Sequence, residues 1–375
     1  MVSILGFGCM RFPILNGGRN VDRFDPNKII DEEETIRMID YAISHGVNYF
    51  DTAYPYHAGK SEGVLGKAIQ GYRDKVIVAT KLPVRQVKVR EDFDRFLDEQ
   101  LRRLDTSYVD VYLLHGLERQ DWIRMRRLGA LEFLDRVRAD GRARYAGFSY
   151  HDDVKVFKKI VDSYDWTLCQ IQYNYFDERY QAGREGLAYA ASKGLGIVVM
   201  EPLRGGKLTD RIPDEIQAIW DSAKPKRTPA EWALRWVWNH PEVSTALSGM
   251  SAMDQVKENI KVAEAGNPLS LSKKELSIID RVRKIYKKML KVDCTGCAYC
   301  MPCKAGVNIP ANLAIYNDTF LFKDHEFNVL RYNQLMLPEQ RASNCAECGE
   351  CEKRCPQHLK IVEELRKVDQ TLSPR

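Results

Sequence analysis

The sequence predicts an α/β protein, a (β/α)8 TIM-type barrel followed by a small, mainly helical module. Two observations predict it. Over about the first 265 residues, eight short apolar runs alternate with eight amphipathic stretches, the pattern of a parallel sheet with helices packed on its outer face. Beyond them, eight of the ten cysteines crowd into residues 294–355.

The candidate strands are residues 5–10, 47–53, 75–82, 109–115, 145–149, 168–175, 197–202 and 243–249. They read as continuous apolar runs, as in a sheet covered on both faces. The amphipathic stretches lie near 33–45, 61–71, 91–104, 130–140, 152–163, 180–193, 229–240 and 252–265, and Gly46, Gly141, Gly194 and Gly196 stand where helices should stop. An open doubly wound sheet is the alternative. It would carry a glycine fingerprint after the first strand, and Gly6-Phe7-Gly8-Cys9-Met10-Arg11 lacks the third glycine. Residues 116–129, with Trp122 and four arginines, read as a loop shaping the substrate pocket. Its arginines are by default a solvated face, with attraction of an acidic substrate as the sharper reading. Asn267-Pro268 closes the barrel, and residues 272–288 read as one more helix. The expected division is therefore a barrel over 1–268, a linker helix over 269–290, and the cysteine module with its tail over 291–375.

Charged residues make up 29% of the 375, with a formal net charge of +5. That mildly basic, well-mixed surface does not call for nucleic acid, which would need a clustered patch. No apolar run approaches a membrane span. The N-terminal residues lack the basic region and apolar core of a signal peptide. A soluble, cytoplasmic protein is expected.

The cysteine array reads C-x2-C-x2-C-x2-C over Cys294, Cys297, Cys300 and Cys303, then C-x2-C-x2-C-x3-C-P over Cys345, Cys348, Cys351 and Cys355. The second group matches the run of bacterial two-cluster ferredoxins, in which the fourth cysteine serves the other cluster. The expectation is a ferredoxin-like domain with two [4Fe–4S] clusters. Cys294, Cys297, Cys300 and Cys355 would hold one, and Cys345, Cys348, Cys351 and Cys303 the other. Zinc sites usually part their C-x2-C pairs by a longer loop, and disulfides suit small secreted chains.

In such a barrel, chemistry sits at the C-terminal ends of strands. Three neighbouring ends deliver Asp51 and Tyr56, Lys81, and His115 to one rim. A phenol is a poor acid at neutral pH. A neighbouring ammonium favours its ionised form, and a carboxylate holds that ammonium in place. A neutral imidazole can donate to a carbonyl oxygen. The expected roles are Tyr56 as general acid/base, Lys81 as modifier of its acidity, Asp51 as partner of the lysine, and His115 as substrate orienter. His57 and His151 are expected to be solvated, with reach to the substrate as the alternative. Cys9 and Cys169 are expected as buried thiols.

Residues 1–265 resemble the aldo-keto reductases. The matching stretches include Phe50-Asp51-Thr52-Ala53 with Tyr56, Ser61-Glu62-Gly63-Val64-Leu65-Gly66, Ala79-Thr80-Lys81, Gly147-Phe148-Ser149 and Pro202-Leu203 with Gly205-Gly206. The whole chain resembles the branch with a C-terminal two-cluster module. The resemblance implies a nicotinamide cofactor, NADP or NAD, lying across the rim. Met10 and Arg11 would meet it from the first strand, Ser149 and Gln170 would hold its carboxamide, and Met200 would pack on its ring. Leu203, Gly205 and Gly206 would follow the pyrophosphate. Ser251, Gln255, Glu258 and Asn259 would line the adenosine end. Departures from the family pattern are Tyr150 after Ser149, Met200 in place of an aromatic ring, and no cation at Gly249, Met250 or Gln255 to grip a 2′-phosphate. Arg11, Arg204 and Lys207 are the cations that could compensate.

The function expected is oxidoreduction of a small carbonyl or alcohol substrate, with the clusters for electron transfer. A flavin at the barrel phosphate site is an optional intermediary between hydride and single-electron chemistry, and a ferredoxin or other redox protein an optional partner. The competing expectation is a redox-sensing or electron-transfer protein whose barrel reduces no carbonyl.

Overall fold

The computed structural model describes residues 1–15, 29–210, 212–294, 296, 300–322, 324–355 and 357–373. The chain divides into two compact units. The first comprises Met1–Glu178, Ala182–Gly206 and Pro229–Ser272, and the second Arg179–Gln181, Lys207–Thr228 and Lys273–Arg375.

In the first unit, strands β1 (Leu5–Gly8), β2 (Tyr49–Asp51), β3 (Ile77–Leu82), β4 (Val109–Leu117), β5 (Ala143–Tyr150), β6 (Leu168–Gln172), β7 (Gly196–Met200) and β8 (Thr245–Ser248) close in sequence order into a parallel barrel. The open-sheet alternative is thereby excluded. The barrel interior explains two glycines. Tyr49, Ala79, Val111, Leu113, Leu168, Val198 and Leu247 form one buried cluster supplied by six strands. Strands β1 and β5 contribute glycine to that ring. A Cβ on Gly6 would stand 2.7 Å from Leu247, and one on Gly147 would stand 2.6 Å from Leu113, so a larger residue at either place would overfill the core.

The helices in chain order are α1 (Glu32–Ser44), α2 (Ser61–Ile69), α3 (Asp92–Arg103), α4 (Arg119–Leu128), α5 (Ala130–Ala139), α6 (Val154–Val161), α7 (Gly183–Ser192), α8 (Asp214–Ser222), α9 (Pro229–Trp238) and α10 (Met253–Glu264). Eight of them match the amphipathic stretches. The other two correct the sequence reading. The stretch taken as loop 116–129 holds α4, which buries Trp122 and Met125 and stops at Gly129 in the left-handed region, φ 84°. Helix α8, with Ile216, Ile219 and Trp220 buried at helical spacing, carried an i, i+3, i+4 signal that was not used. Strands β6 and β7 also end sooner than expected, at Gln172 and Met200.

The second unit is mainly helical, with α8, α11 (Lys273–Lys288), α12 (Ile309–Leu321), α13 (His325–Leu330), α14 (Glu350–Lys353) and α15 (Ile361–Leu372). Its core gathers Val307, Ile309, Leu313, Tyr332, Ile361, Leu365 and Val368, with Cys294, Cys300, Cys303, Cys345 and Cys351 packed against it.

Candidate active site and cysteine centre

The parallel register sets Asp51 of β2 opposite Ala79 of β3. Lys81 stands two residues further along β3. Its ammonium donates to Asp51 Oδ1 at 2.6 Å and to the Thr52 carbonyl at 2.7 Å. Both side chains are almost wholly buried, 1% and 4% exposed. Burial works against a charged lysine, but Asp51 and Tyr56 outweigh it and hold the Lys81 pKa above its ordinary value. Two of its three N–H groups are thus spent, leaving the third for Tyr56. The Lys81 nitrogen lies 5.0 Å from the Tyr56 ring centroid.

Burial raises the Tyr56 pKa above that of a free tyrosine, and Lys81 opposes the rise without cancelling it. The lysine therefore acts in the expected sense, while the net direction is upward. At neutral pH the group is a protonated phenol. The His115 ring meets Tyr56 edge-on, with centroids 5.8 Å apart. Burial, followed by the charges of Lys81, His151 and Arg85, lowers the His115 pKa well below the usual histidine value. A neutral imidazole results, with one N–H to donate.

Tyr56 is aimed by an unusual turn. The next two residues, His57 and Ala58, sit in the left-handed region at φ 50° and 52°. That conformation costs roughly 1–2 kcal/mol per residue for side chains with a Cβ. His57 is held there from outside the turn: its Nε2 accepts from the Phe12 N–H at 3.1 Å and its ring stacks on Phe12. The expectation for His57 is thus corrected. It is a buried clamp, neither solvated nor turned to substrate, and its pKa is lowered to about 4, chiefly by burial. His151 is half-buried, close enough to His115 to bear on its charge. Cys9 and Cys169 are buried thiols as expected.

The expected cofactor residues lie at or after the ends of β1, β5, β6, β7 and β8 and on α10. Ser149 Oγ accepts from the Gly116 N–H at 2.6 Å. Gln170 is buried against Asp51, and its Oε1 has no hydrogen-bond partner among the described residues. That orphan acceptor fits a carboxamide N–H. Tyr150, where the family favours asparagine, turns away instead and donates to the Asp153 carbonyl. Met200 is half-buried and packs against the barrel interior. After it, Glu201, Arg204, Gly205 and Gly206 all have positive φ, between 51° and 93°. Leu203 lies half-buried within that segment. The segment folds back on itself: the Arg204 N–H donates to the Glu201 carbonyl and the Gly206 N–H to the Leu203 carbonyl, both at 3.0 Å.

Arg11 passes alongside this loop. A Cβ on Gly249 would meet its stem at 3.1 Å, and one on Gly205 would meet its guanidinium at 2.9 Å. Met10 precedes it in the short turn Cys9–Arg11. Gln255 accepts from the Ser251 N–H at 2.9 Å, Asn259 donates to Ser248 Oγ at 2.9 Å, and Glu258 is half-buried beside them. The other two compensating cations are engaged elsewhere. Arg204 pairs with Asp177 at 2.8 Å. Lys207 is buried in the second unit and pairs with Asp318 at 2.9 Å. Three arginines of α4 are held locally: Arg119 pairs with Asp153, Arg124 with Asp121, and Arg126 lies over Trp122.

In the second unit, Cys303, Cys345, Cys348 and Cys351 line one cavity, with Lys304, Ile309, Arg354 and Leu365 among its other walls. Cys300, expected in the other set, also reaches it, and Cys294 and Cys355 do not. Cys297 and Pro356 lie outside the described residues. Among the described residues no three of His, Cys, Asp or Glu close round a single ion. A cubane does not ask that of them, since each iron takes one thiolate and the four sulfurs stand apart around the cluster.

Two buried asparagines of α12, which sequence reasoning passed over, fix the approaches to the cysteine groups. Asn317 Oδ1 accepts from the N–H groups of Lys291 and Val292, both at 2.9 Å, just before Cys294. Asn312 donates to the Gln340 carbonyl at 2.8 Å and accepts from the Ala342 N–H at 3.0 Å, just before Cys345. Their signal was an amide at buried positions of a largely apolar helix, which also buries Asp318 and Thr319.

The closed eightfold parallel barrel and the helical cysteine module each match a family model. The chain belongs to the aldo/keto reductase family, whose model matches residues 5–284. Residues 293–359 match the 4Fe-4S dicluster domain. Neither description names a flavin. The chain is 26% identical over 317 residues to the uncharacterized oxidoreductase YqkF of Bacillus subtilis, covering 76% of this chain and 95% of that one. It is 28% identical to L-galactose dehydrogenase of Arabidopsis thaliana, covering 69% and 86%. Among solved structures it is similar to the holo form of aldo-keto reductase AKR11C1 from Bacillus halodurans, with TM-score 0.61 and 29% identity over 75% of this chain and 92% of that one. Among the described residues, no helix is long and apolar enough to cross a membrane.

Proposed function

We propose that the protein reduces a small carbonyl compound, or oxidises the corresponding alcohol, with NADP or NAD as cofactor and Tyr56 as general acid/base. The observation that carries the reading is the buried Lys81 ammonium, fixed by Asp51 and the Thr52 carbonyl and facing Tyr56. When bound, the nicotinamide supplies or accepts hydride. The remaining work falls to side chains. His115, kept neutral, donates a hydrogen bond to the carbonyl oxygen and orients it. Tyr56, protonated at neutral pH, gives its proton to that oxygen as negative charge develops there. The nearby Lys81 charge stabilises the phenolate left behind. Asp51 keeps the lysine charged and in place. Gln170, Ser149 and Met200 would orient the nicotinamide end. Arg11, which lies against Gly205 and Gly249, would meet the phosphates along the Leu203–Gly206 segment.

We assign the cysteine module two [4Fe–4S] clusters, one on Cys303, Cys345, Cys348 and Cys351, the other on Cys294, Cys297, Cys300 and Cys355. The grouping follows from the cysteine spacing; the first four line one cavity, which Cys300 of the other set also reaches. The clusters supply single-electron chemistry when present, which suits a redox protein as electron partner. Anaerobic purification tests both parts together. Iron and acid-labile sulfide are counted, extracted cofactors are identified, and NADPH or NADH oxidation is followed against a panel of small aldehydes and ketones. Iron and sulfide in equal amounts with carbonyl-dependent nicotinamide oxidation support the reading. Full clusters with no turnover on any carbonyl or alcohol would favour the redox-sensing alternative.

A further inference from the structure

The stretch Ser61–Gly66 takes no part in the chemistry above, yet it is more tightly bound than any packing role needs. Gly66 lets α2 approach the end of α3: a Cβ there would lie 2.6 Å from the Leu104 carbonyl oxygen. The close approach brings Glu62, fully buried, onto Gln100 and Arg103. Glu62 Oε1 accepts from Thr80 Oγ1 at 2.6 Å and from Gln100 Nε2 at 2.8 Å, and its Oε2 accepts from Arg103 at 3.2 Å.

Gln100 and Arg103 then each reach the backbone of a segment that carries a reacting group. Gln100 Nε2 lies 3.0 Å from the Lys81 carbonyl, and its Oε1 accepts from the Tyr112 hydroxyl at 2.8 Å. Arg103 donates to the Tyr54 carbonyl at 3.3 Å and lies 4.1 Å over the Tyr54 ring, two residues before Tyr56. Ser61 donates to the Cys9 carbonyl at 2.9 Å and shares a 3.0 Å hydrogen bond with Thr52, whose carbonyl receives Lys81. One hydrogen-bonded group therefore spans the lysine strand and the tyrosine turn from behind.

We propose that Glu62, Gln100 and Arg103 are positioning residues that set how closely Tyr56 meets Lys81. The proposal rests on the carbonyl-reductase reading of Tyr56 and Lys81. Glu62 is the keystone, because it joins the half of the brace on Lys81 to the half on Tyr54. Loss of either half lets the turn and the strand drift apart, and the phenolate loses part of its stabilisation by the ammonium. A misplacement near 1 Å at a reacting group can cost about a hundredfold in rate.

The test compares wild type with Arg103→Met, Arg103→Lys and Glu62→Gln, all as full chains with their clusters. The Tyr56 phenol is titrated by NMR with tyrosine labelled at Cζ and its signal assigned by Tyr56→Phe, and steady-state constants are measured beside it. Arg103→Met is expected to move the Tyr56 midpoint upward by about one unit. It should also lower kcat about ten- to a hundredfold with KM nearly constant. Arg103→Lys, which keeps a cation opposite Glu62, should recover part of both effects. Should Arg103→Met fail to fold, Glu62→Gln, which conserves shape, carries the test. An unmoved Tyr56 midpoint in the folded variants, with only a lower melting temperature, would overturn the proposal and leave a purely structural cluster. A shifted midpoint in an enzyme that reduces no carbonyl would keep the brace and discard the reaction. Turnover with unmoved midpoints would do the reverse.

Discussion

The proton on Tyr56 decides the direction in which the site works well. Burial raises its pKa and Lys81 only partly offsets this, so the phenol is poised to donate at neutral pH. Carbonyl reduction should hold steady across neutral pH and decline only as Tyr56 ionises. Alcohol oxidation should climb through the same alkaline range, because it needs the phenolate. Paired pH profiles of the two directions check this. His115 should add no limb near its usual range, since its pKa lies far below it. His57 gives a separate prediction. Its pKa is lowered from 6.5 to about 4 in the folded chain. Between those values the unfolded chain binds the proton and the folded chain does not. Stability is therefore lost as pH falls from about 6.5 toward 4, by about 2 kcal/mol on reaching pH 5. Urea unfolding of wild type and His57→Gln at pH 7 and pH 5 should show the variant less stable at pH 7 yet less acid-sensitive. Arg11→Gln should weaken NADPH binding by about tenfold through loss of a phosphate contact, which fluorescence titration would detect. Asp51, Lys81 and His115 were legible because each falls at the end of a recognisable strand. His57 was not, because its place depends on Phe12, some forty-five residues away.

At the scale of elements, the barrel was readable because every strand is an apolar run bounded by helical periodicity. The misses have a common cause. Helix α4 carries a polar, arginine-rich face over a narrow buried edge of Trp122 and Met125, so composition suggested a loop where spacing already indicated a helix. The brace on α3 shows the same effect in reverse. Gln100 occupies the buried stripe with Phe93, Phe96, Leu97 and Leu101, and a lone amide among apolar residues was the overlooked sign of a polar partner inside. Helix α12 repeats the pattern with Asn312 and Asn317. Asn312→Ala would leave the Ala342 N–H and the Gln340 carbonyl without this partner. It should cost about 1–3 kcal/mol and lower the iron retained per chain, a pair of effects that denaturation and iron analysis would separate. Full iron with unchanged stability would contradict the role given to α12.

For the whole molecule, the cysteine spacing announced a second module. Residues 207–228 group with it in space, although the aldo/keto reductase family model spans them, and nothing in their local composition marks them as other than barrel. The module has its own apolar core of residues from α12, α15 and the intervening chain, so its folding need not wait for metal as that of a small zinc finger does. Removing iron with a chelator should leave the far-ultraviolet helical signal undiminished, the module's share included, while visible absorbance disappears. Loss of the module's share of that signal would mean that the clusters, not the core, hold the module together. The central claim, a phenol acting beside a buried ammonium, is tested most directly by Tyr56→Phe against wild type, matched for iron, in nicotinamide-dependent carbonyl reduction. The account predicts a fall in kcat of about a hundredfold or more with nucleotide affinity unchanged. A phenylalanine enzyme that turns over at the wild-type rate would contradict it.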